Sequence, residues 1–299
     1  MEVSPIIKSQ YTGIKERPLL DDPHAYIQNL DPLTKHDYSY ILKKIEQGWI
    51  TERDLEILKF IFVHRWLTLS QISRIFFPDV EREATARNRV KKLIKHGLVR
   101  RIQWTSYFNP QENRPSCYEL GSSGADILKY KFGFFLGSRD PRAKKETTML
   151  YRMRYIATNE FYIKLQQGLE LIHFEFHPSL SLEDEKQVPT ARYILKTPKG
   201  KDLNFYFICH RDDDNWLKTV RYQAAFYKQY FKLEEPGSVL VMMLSTFQKA
   251  EIVHKILEQE GMANHAWFVT DEDLYNNQMH ISQSFFIFHE GRRVYYDLR

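Results

Sequence analysis

In the first half of the chain, hydrophobic residues recur at helical spacing after each of two similar helix-start motifs. Thr51 and Asp54 have the form of a capping box, so a helix is predicted to begin there. Thr68 and Gln71 repeat this arrangement and predict a second, short helix that Pro78 ends. Both helices carry an apolar face that needs a packing partner.

The third predicted helix, over residues 82–96, sets a hydrophobic stripe against a basic face. Ala86, Val90 and Leu93 recur at steps of four and three and therefore share one side of the helix. Gly97 follows as the expected C-terminal stop. Three helices of this size favour a helix-turn-helix bundle, in which the third helix would contact base edges.

Strand patterns follow this bundle. Residues 98–104 and 117–120 are predicted to be two strands around the turn-rich stretch 109–115, which is the pattern of a wing. Residues 121–128 are typical of a turn into a fourth helix. Residues 133–145 are rich in Gly, Pro and charge and look like a domain boundary.

The second half alternates helices and strands, which predicts an α/β domain with a mixed sheet. Helices are predicted at 148–167, 216–232 and 248–260, and strands at 171–177, 192–196, 203–209, 239–244, 266–269, 285–288 and 294–296.

The predicted fold class is therefore α+β, a winged helix-turn-helix followed by a mixed α/β domain. The predicted boundaries are an extended N-terminal arm over 1–36, the winged helix over 37–132, and the α/β domain over 146–299, which would serve dimerisation or partner binding.

Composition and charge narrow the class of protein. The 299 residues are 43% hydrophobic and carry a net charge of only +5, so a nucleic-acid surface would have to concentrate its charge locally. Two distant cysteines, Cys117 and Cys209, exclude a disulfide framework and favour a reducing compartment. No apolar run is long enough for a membrane span, and the first ten residues lack a secretory core. We expect a soluble, cytoplasmic protein with no membrane contact.

Basic residues concentrate between Arg82 and Arg101, where eight cations stand against the single acid Glu83. Double-stranded DNA is the predicted partner, because Arg pairs with guanine and Asn with adenine in the major groove. Basic side chains would also neutralise phosphates. The candidate DNA-binding residues are Arg82, Thr85, Arg87, Asn88, Arg89, Lys91, Lys92, Lys95, Arg101 and, at the tip of the wing, Arg114.

Two other interpretations of this segment stay open. The basic helix could be a solvated surface without a partner, or the winged helix could be a protein-docking module, although the density of cations argues against both. Glu83 could cap the helix or accept a hydrogen bond from a cytosine amino group.

The order of elements in the second half resembles the core of restriction-endonuclease-like folds. Active members carry an acid on the second strand and an acid-x-lysine arrangement on the third, which hold a metal ion. Here residues 191–195 and 204–210 contain no acid or lysine at those places. We therefore predict no enzyme activity, no catalytic residues and no cofactor. A displaced metal site at Asp212, Asp213 and Asp214 stays open beside a solvated acidic loop.

A second candidate for metal binding lies on one strand. His173, Glu175 and His177 alternate and share a face, and these residue types could bind zinc, iron or manganese. Ligands on one straight strand converge poorly, because alternate residues are nearly 7 Å apart at roughly 3.3 Å per residue. A polar sheet face is the competing interpretation, and no metal is predicted.

The helix over 216–232 is rich in aromatic residues. Most of them fall at core spacing, while an exposed remainder could form an interface with a partner.

Several segments of the first domain resemble the N-terminal winged helix of the replication-relaxation proteins of bacterial plasmids and other mobile elements. These segments are residues 51–62, 67–72, 76–77, 87–93 and 97–99. The resemblance implies DNA binding in plasmid replication, transfer or regulation, carried over to Thr85, Arg87, Asn88, Arg89 and Lys92. Such families often show Pro-Asp and later Glu-x-Asp in the second domain, where this chain has Pro189-Thr190 and Cys209-His-Arg211.

Three hypotheses follow. The leading one is a DNA-binding protein of a mobile element, acting in replication, transfer or transcriptional regulation as a homodimer that reads two half-sites. The alternatives are a metal-dependent nuclease targeted by the winged helix, and a protein-interaction adaptor.

Overall fold

The hydrophobic stripes of the sequence become packed helices and strands in the computed structural model of the chain. The structure describes residues 20–78, 83–108, 110–111, 114–143, 146–197, 200–211, 213, 215–275 and 279–298. These residues divide into two compact units. The described residues from 24 to 159 form the first unit, and those of 19–23 and 160–299 form the second.

Helices and strands alternate within both units. The α-helices of the described residues are Tyr38–Glu46 (α1), Glu52–His64 (α2), Leu69–Phe76 (α3), Glu83–Lys95 (α4), Ser122–Tyr130 (α5), Met149–Gly168 (α6), Trp216–Leu233 (α7), Phe247–Gln259 (α8) and Asp271–Leu274 (α9). The strands are Ala25–Leu30 (β1), Leu67–Thr68 (β2), Val99–Ser106 (β3), Cys117–Leu120 (β4), Leu171–Phe176 (β5), Leu180–Leu182 (β6), Glu185–Gln187 (β7), Ala191–Lys196 (β8), Asp202–Cys209 (β9), Val239–Leu244 (β10), Ala266–Thr270 (β11), Phe286–His289 (β12) and Arg292–Tyr295 (β13).

Both predicted capping boxes form. The Thr51 N–H donates to Asp54 Oδ2 at 2.7 Å at the start of α2. At the start of α3 the exchange is reciprocal, with the Thr68 N–H donating to Gln71 Oε1 at 3.0 Å and the Gln71 N–H donating to Thr68 Oγ1 at 3.2 Å. These bonds satisfy backbone donors that a helix start leaves unpaired, and they explain why the sequence located both starts.

Gly97 ends α4 as predicted. Its φ of 65° is a conformation that glycine adopts readily, and the Leu98 N–H returns to the Leu93 carbonyl at 3.0 Å. A Cβ at residue 97 would lie 2.3 Å from the Thr34 carbonyl oxygen, so the close approach of this segment also requires glycine.

The first unit contains a four-stranded sheet in the order β1-β3-β4-β2. The β3–β4 pair is antiparallel, as predicted. Residues 25–30 were predicted to belong to an extended arm. In the structure they form β1, which pairs antiparallel with β3. Pro23 and Pro32 flank this strand instead of interrupting it, so its ladder donors are intact. Residues 1–19 of the predicted arm lie outside the described part of the chain.

The core of the first unit lies where α2, α3 and α4 face one another. Leu55, Leu58, Ile72, Val90 and Leu98 are all at most 2% exposed and belong to one hydrophobic cluster. The apolar stripes that predicted the three helices are therefore the surfaces that hold them together.

The second unit is built on a seven-stranded sheet in the order β13-β12-β11-β10-β9-β8-β5. β9, β10 and β11 are parallel and the outer pairs are antiparallel, which confirms the prediction of a mixed sheet. The β6–β7 hairpin and the short α9 were missed, since segments of three or four residues have too few positions to show a period.

The aromatic residues of α7 are mainly core residues. Phe226, Tyr227, Tyr230 and Phe231 are buried in the hydrophobic cluster of the second unit, whereas Tyr222 is half exposed. Both cysteines are buried and unbridged. Across the described ranges, no helix combines the length and the apolar character that crossing a bilayer requires.

Candidate nucleic-acid interface

Helix α4 buries one face and exposes the other. Ala86, Val90 and Leu93 are at most 2% exposed and pack into the core of the first unit. Most of the outward positions are polar or basic, and these include Thr85, Arg87, Asn88, Lys91, Lys92 and Lys95. The sequence predicted this division, although Arg82 lies outside the described residues.

Arg87 is the most prominent cation near the N-terminal half of this face. Its side chain is 60% exposed, and Nη2 lies 3.3 Å from Glu83 Oε1 one helical turn away. An exposed pair at this spacing is worth little in water, so a nucleic-acid base or phosphate could displace it at small cost. Glu83 therefore lies beside Arg87 on the same surface.

The sequence predicted that Arg89 contacts DNA, but in the structure its side chain turns towards α2. Its guanidinium lies against the fully buried Asp54 of α2, with Nε donating to Oδ1 at 2.7 Å and Nη2 donating to Oδ2. Nη2 also donates to the Trp49 carbonyl at 3.1 Å. The hydrogen bond with Asp54 raises the pKa of Arg89. Arg89 thus fixes α4 to the start of α2, because leaving Asp54 unpaired in the core would be costly.

The C-terminal end of the α4 surface is also positively charged. Lys91, Lys92 and Lys95 are exposed, and a ring N–H of His36 is placed to donate to the Lys95 carbonyl at 3.1 Å. Burial lowers the pKa of the neighbouring His96, and the positive charges around it lower that pKa further. The lysines supply the positive charge of this end.

The two strands after α4 hold several of the remaining arginines. Arg101 Nη2 lies 3.4 Å from Asp31 Oδ1, yet the side chain is still 39% exposed. Arg100 pairs with Glu119 and is mostly covered. Arg114 lies with its guanidinium 4.8 Å from the centre of the Trp104 ring, so it packs on the strands and does not project as a tip. Residues 109, 112 and 113 lie outside the described part of the loop.

The candidate metal ligands of the second unit do not converge. His173 Nε2 and Glu175 Oε2 lie 3.8 Å apart with both side chains about half exposed. His177 has a φ of 52°, which takes it out of the regular strand. Where the structure describes the chain, no three His, Cys, Asp or Glu residues are grouped to hold a metal ion. Asp212 and Asp214 lie outside the described residues.

Sequence reasoning missed a buried charged cluster at the carboxyl ends of the parallel strands. Arg211 follows β9 and is fully buried, with Nη2 2.9 Å from Asp271 Oδ1 at the end of β11. Asp21 accepts from Ser245 Oγ at 2.6 Å and from Lys249 Nζ at 2.8 Å after β10. Burial raises the pKa of Asp271 to about 6 and that of Glu272 to about 7. The one signal in the sequence is the acidic run directly after β11.

Comparison with known proteins gives one finding. Residues 58–179 match the family model described as replication-relaxation, which confirms the resemblance found in the sequence. This segment includes all of α4 and the β3–β4 pair. No curated protein and no solved structure gives a significant match to the chain.

Proposed function

We propose that this chain is a DNA-binding protein of a plasmid or other mobile element, acting in its replication, transfer or transcriptional regulation. The match to the replication-relaxation family supports the setting in a replicating element. The observation that carries DNA binding is α4, which exposes four cations against the single acid Glu83 while its apolar side is buried in a helical bundle.

The first unit would act as a winged helix. α3 and α4 would form the helix-turn-helix, and β3 and β4 would form the wing. Arg87, Asn88 and Thr85 would contact base edges in the major groove, and Lys91, Lys92 and Lys95 would neutralise phosphates. Arg101 and Arg114 would add charge from the strands, whereas Arg89 would orient α4 through Asp54.

The second unit would be a non-catalytic partner surface with a restriction-endonuclease-like arrangement of elements. Buried Tyr193 on β8 and buried Phe205 and Phe207 on β9 occupy strands on which active nucleases of that kind carry acids and a lysine. A homodimer would place two α4 helices on two half-sites. Sedimentation of the full chain with and without a bound duplex would test this state.

The decisive experiment is fluorescence anisotropy of the full chain on duplex fragments across a salt series. We expect Lys92→Gln to weaken binding to every fragment and to reduce the slope of log K against log[salt] by about 0.9. Arg87→Ala should instead cost about 1–3 kcal/mol on preferred fragments and relax the preference among them. Lys129→Gln, which removes an exposed charge on α5, is the matched control.

Two results would contradict the proposal. One is equal affinity of wild type and Lys92→Gln at every salt concentration. The other is duplex cleavage that chelation abolishes, which would favour a nuclease.

A further inference from the structure

An open cleft lies in the first unit beside the C-terminal end of α2. Its walls are the end of α2, the β3–β4 pair, the loop 138–143 and the first turns of α6. Four arginines and two acidic residues line the cleft. The charged lining residues are Arg65, Arg100, Arg139, Arg152, Glu119 and Asp140.

Both carboxylates already have strong partners. Arg142 holds Asp140 through two bonds of 2.8 Å, from Nε to Oδ1 and from Nη2 to Oδ2. Glu119 accepts from the indole N–H of Trp66 at 2.6 Å and from Arg100 Nε. Arg65, Arg139 and Arg152 are not the direct ion-pair partners of these acids in the described part of the chain, so the cleft keeps an excess of positive charge.

These arginines are held in place by backbone oxygens and by an aromatic ring. Arg139 Nη1 donates to the Phe62 carbonyl at 3.2 Å, and Arg65 Nη2 donates to the Ser138 carbonyl at 3.4 Å. The guanidinium groups of Arg65 and Arg152 lie 4.8 and 5.3 Å from the centre of the Trp66 ring. Each contact uses few of the five N–H donors of an arginine and fixes its direction, so the site is preorganised.

Of these arginines, Arg152 has the least favourable surroundings when the cleft holds no ligand. The residue is only 6% exposed, and its buried Nε atom has no hydrogen-bond partner in the described part of the chain. Burial has the largest effect on its pKa and lowers it; the nearby Glu119 carboxylate raises that pKa, and the charges of Arg100 and Arg65 lower it. Burying a guanidinium with incomplete hydrogen bonds is unfavourable, and an anion in the cleft would offset this cost.

The backbone of Arg65 is also unusual. Its φ of 64° is a conformation that side chains other than glycine rarely adopt. Such strained residues concentrate where a side chain must be presented to a ligand. Here the strained residue is one of those that line the cleft.

We propose that this cleft binds the phosphate group of a free small molecule. Planar guanidinium groups match the oxygens of a phosphate with paired, charge-assisted hydrogen bonds. The cleft is separate from the α4 surface, because Asp54 and His64 at the two ends of α2 are about 15 Å apart at 1.5 Å per residue. The proposal is independent of DNA binding and adds a second ligand to the unit.

The test is isothermal titration of the full chain with inorganic pyrophosphate at constant ionic strength. Arg65→Gln and Arg139→Gln should each weaken binding about tenfold or more, since each removes a charge-assisted partner. Arg53→Gln at the opposite end of α2 is the matched control and should bind like wild type. Circular dichroism of each variant, compared with wild type, confirms that the fold is intact. Arg152→Lys keeps the positive charge but loses the paired N–H donors of the guanidinium, so it should also bind pyrophosphate more weakly.

Anisotropy with duplex DNA distinguishes a free ligand from a DNA phosphate. We expect Arg65→Gln and Arg139→Gln to bind DNA like wild type, and Lys92→Gln to bind pyrophosphate like wild type. The proposal is wrong if pyrophosphate does not bind, if its affinity is the same in the folded Arg65→Gln and Arg139→Gln variants, or if these variants lose DNA affinity to the same extent. The pyrophosphate titration gives its answer whether or not α4 reads DNA.

Discussion

Two groups of charged residues, one in each unit, lie in opposite surroundings. In the first unit α4 presents Arg87 and three lysines to solvent. In the second unit Arg211 and Asp271 pair inside the protein at the ends of the parallel strands. Exposed charges add little to stability and are available to a partner, whereas a buried pair is costly to break. The same residue types are therefore accessible at the surface of one unit and paired in the interior of the other.

Arg89 shows that this division also runs through a single helix. It lies two residues from Arg87, yet only 20% of its side chain is exposed and its partner Asp54 is fully buried. Arg87 is thus accessible on the surface of α4, while the adjacent contact of Arg89 keeps the helix in place.

The largest expected effect on stability comes from breaking the buried pair of Arg211 and Asp271. Arg211→Met should lower the free energy of unfolding by about 3–5 kcal/mol, because Asp271 would be left as a buried carboxylate without its partner. Urea unfolding at pH 7 measures the loss. The double variant Arg211→Met/Asp271→Leu should recover most of it, and a double variant as unstable as the single one would show that the pair is not the cause.

The next effect separates the two arginines of α4. Arg89→Met should lower the free energy of unfolding by about 3 kcal/mol, because it leaves Asp54 buried beside Thr51 alone. Arg87→Met, the matched control, should stay within about 0.5 kcal/mol of wild type. Chemical denaturation of both variants tests this order. Equal stabilities would mean that the contact with Asp54 does not hold α4.

A smaller effect concerns pH in the first unit. His64 is buried, its Nδ1 lies 2.8 Å from Asn159 Oδ1, and burial lowers its pKa from 6.5 to about 4. Between these values the unfolded chain takes up a proton that the folded chain does not, so stability falls as the pH falls. From pH 6.5 to 5 the loss should be about 2 kcal/mol. His64→Gln should remove this slope in urea unfolding, and an unchanged slope would contradict the assignment.

The second unit should show a pH dependence of the opposite sign. Burial raises the pKa of Glu272 to about 7 from 4.5, so the folded state binds more protons than the unfolded state between these values. The Glu272 contribution to stability therefore decreases as the pH rises through this window. Comparing unfolding of wild type and Glu272→Gln at pH 5 and 7 isolates it. A variant that loses more stability than wild type on going to pH 7 would reverse the predicted sign.

Local signals made much of this fold predictable. The capping boxes at Thr51 and Thr68 and the stop at Gly97 each involve residues a few positions apart, which a sequence shows directly. The pairing of Arg89 with Asp54 spans 35 residues, and three successive polar positions of α4 gave no sign of which one turns inward. The cluster around Arg211 combines three distant segments, so no spacing could reveal it.

Strand β1 has a further consequence for anyone who shortens the chain. It covers one side of β3, whose other side pairs with β4. A fragment that begins at residue 37 would leave β3 with unsatisfied ladder groups between Ile102 and Ser106, and such an edge is a template for pairing between molecules. The short strand β1 therefore protects the first unit from aggregation. A fragment of the first unit must include β1 to remain monodisperse.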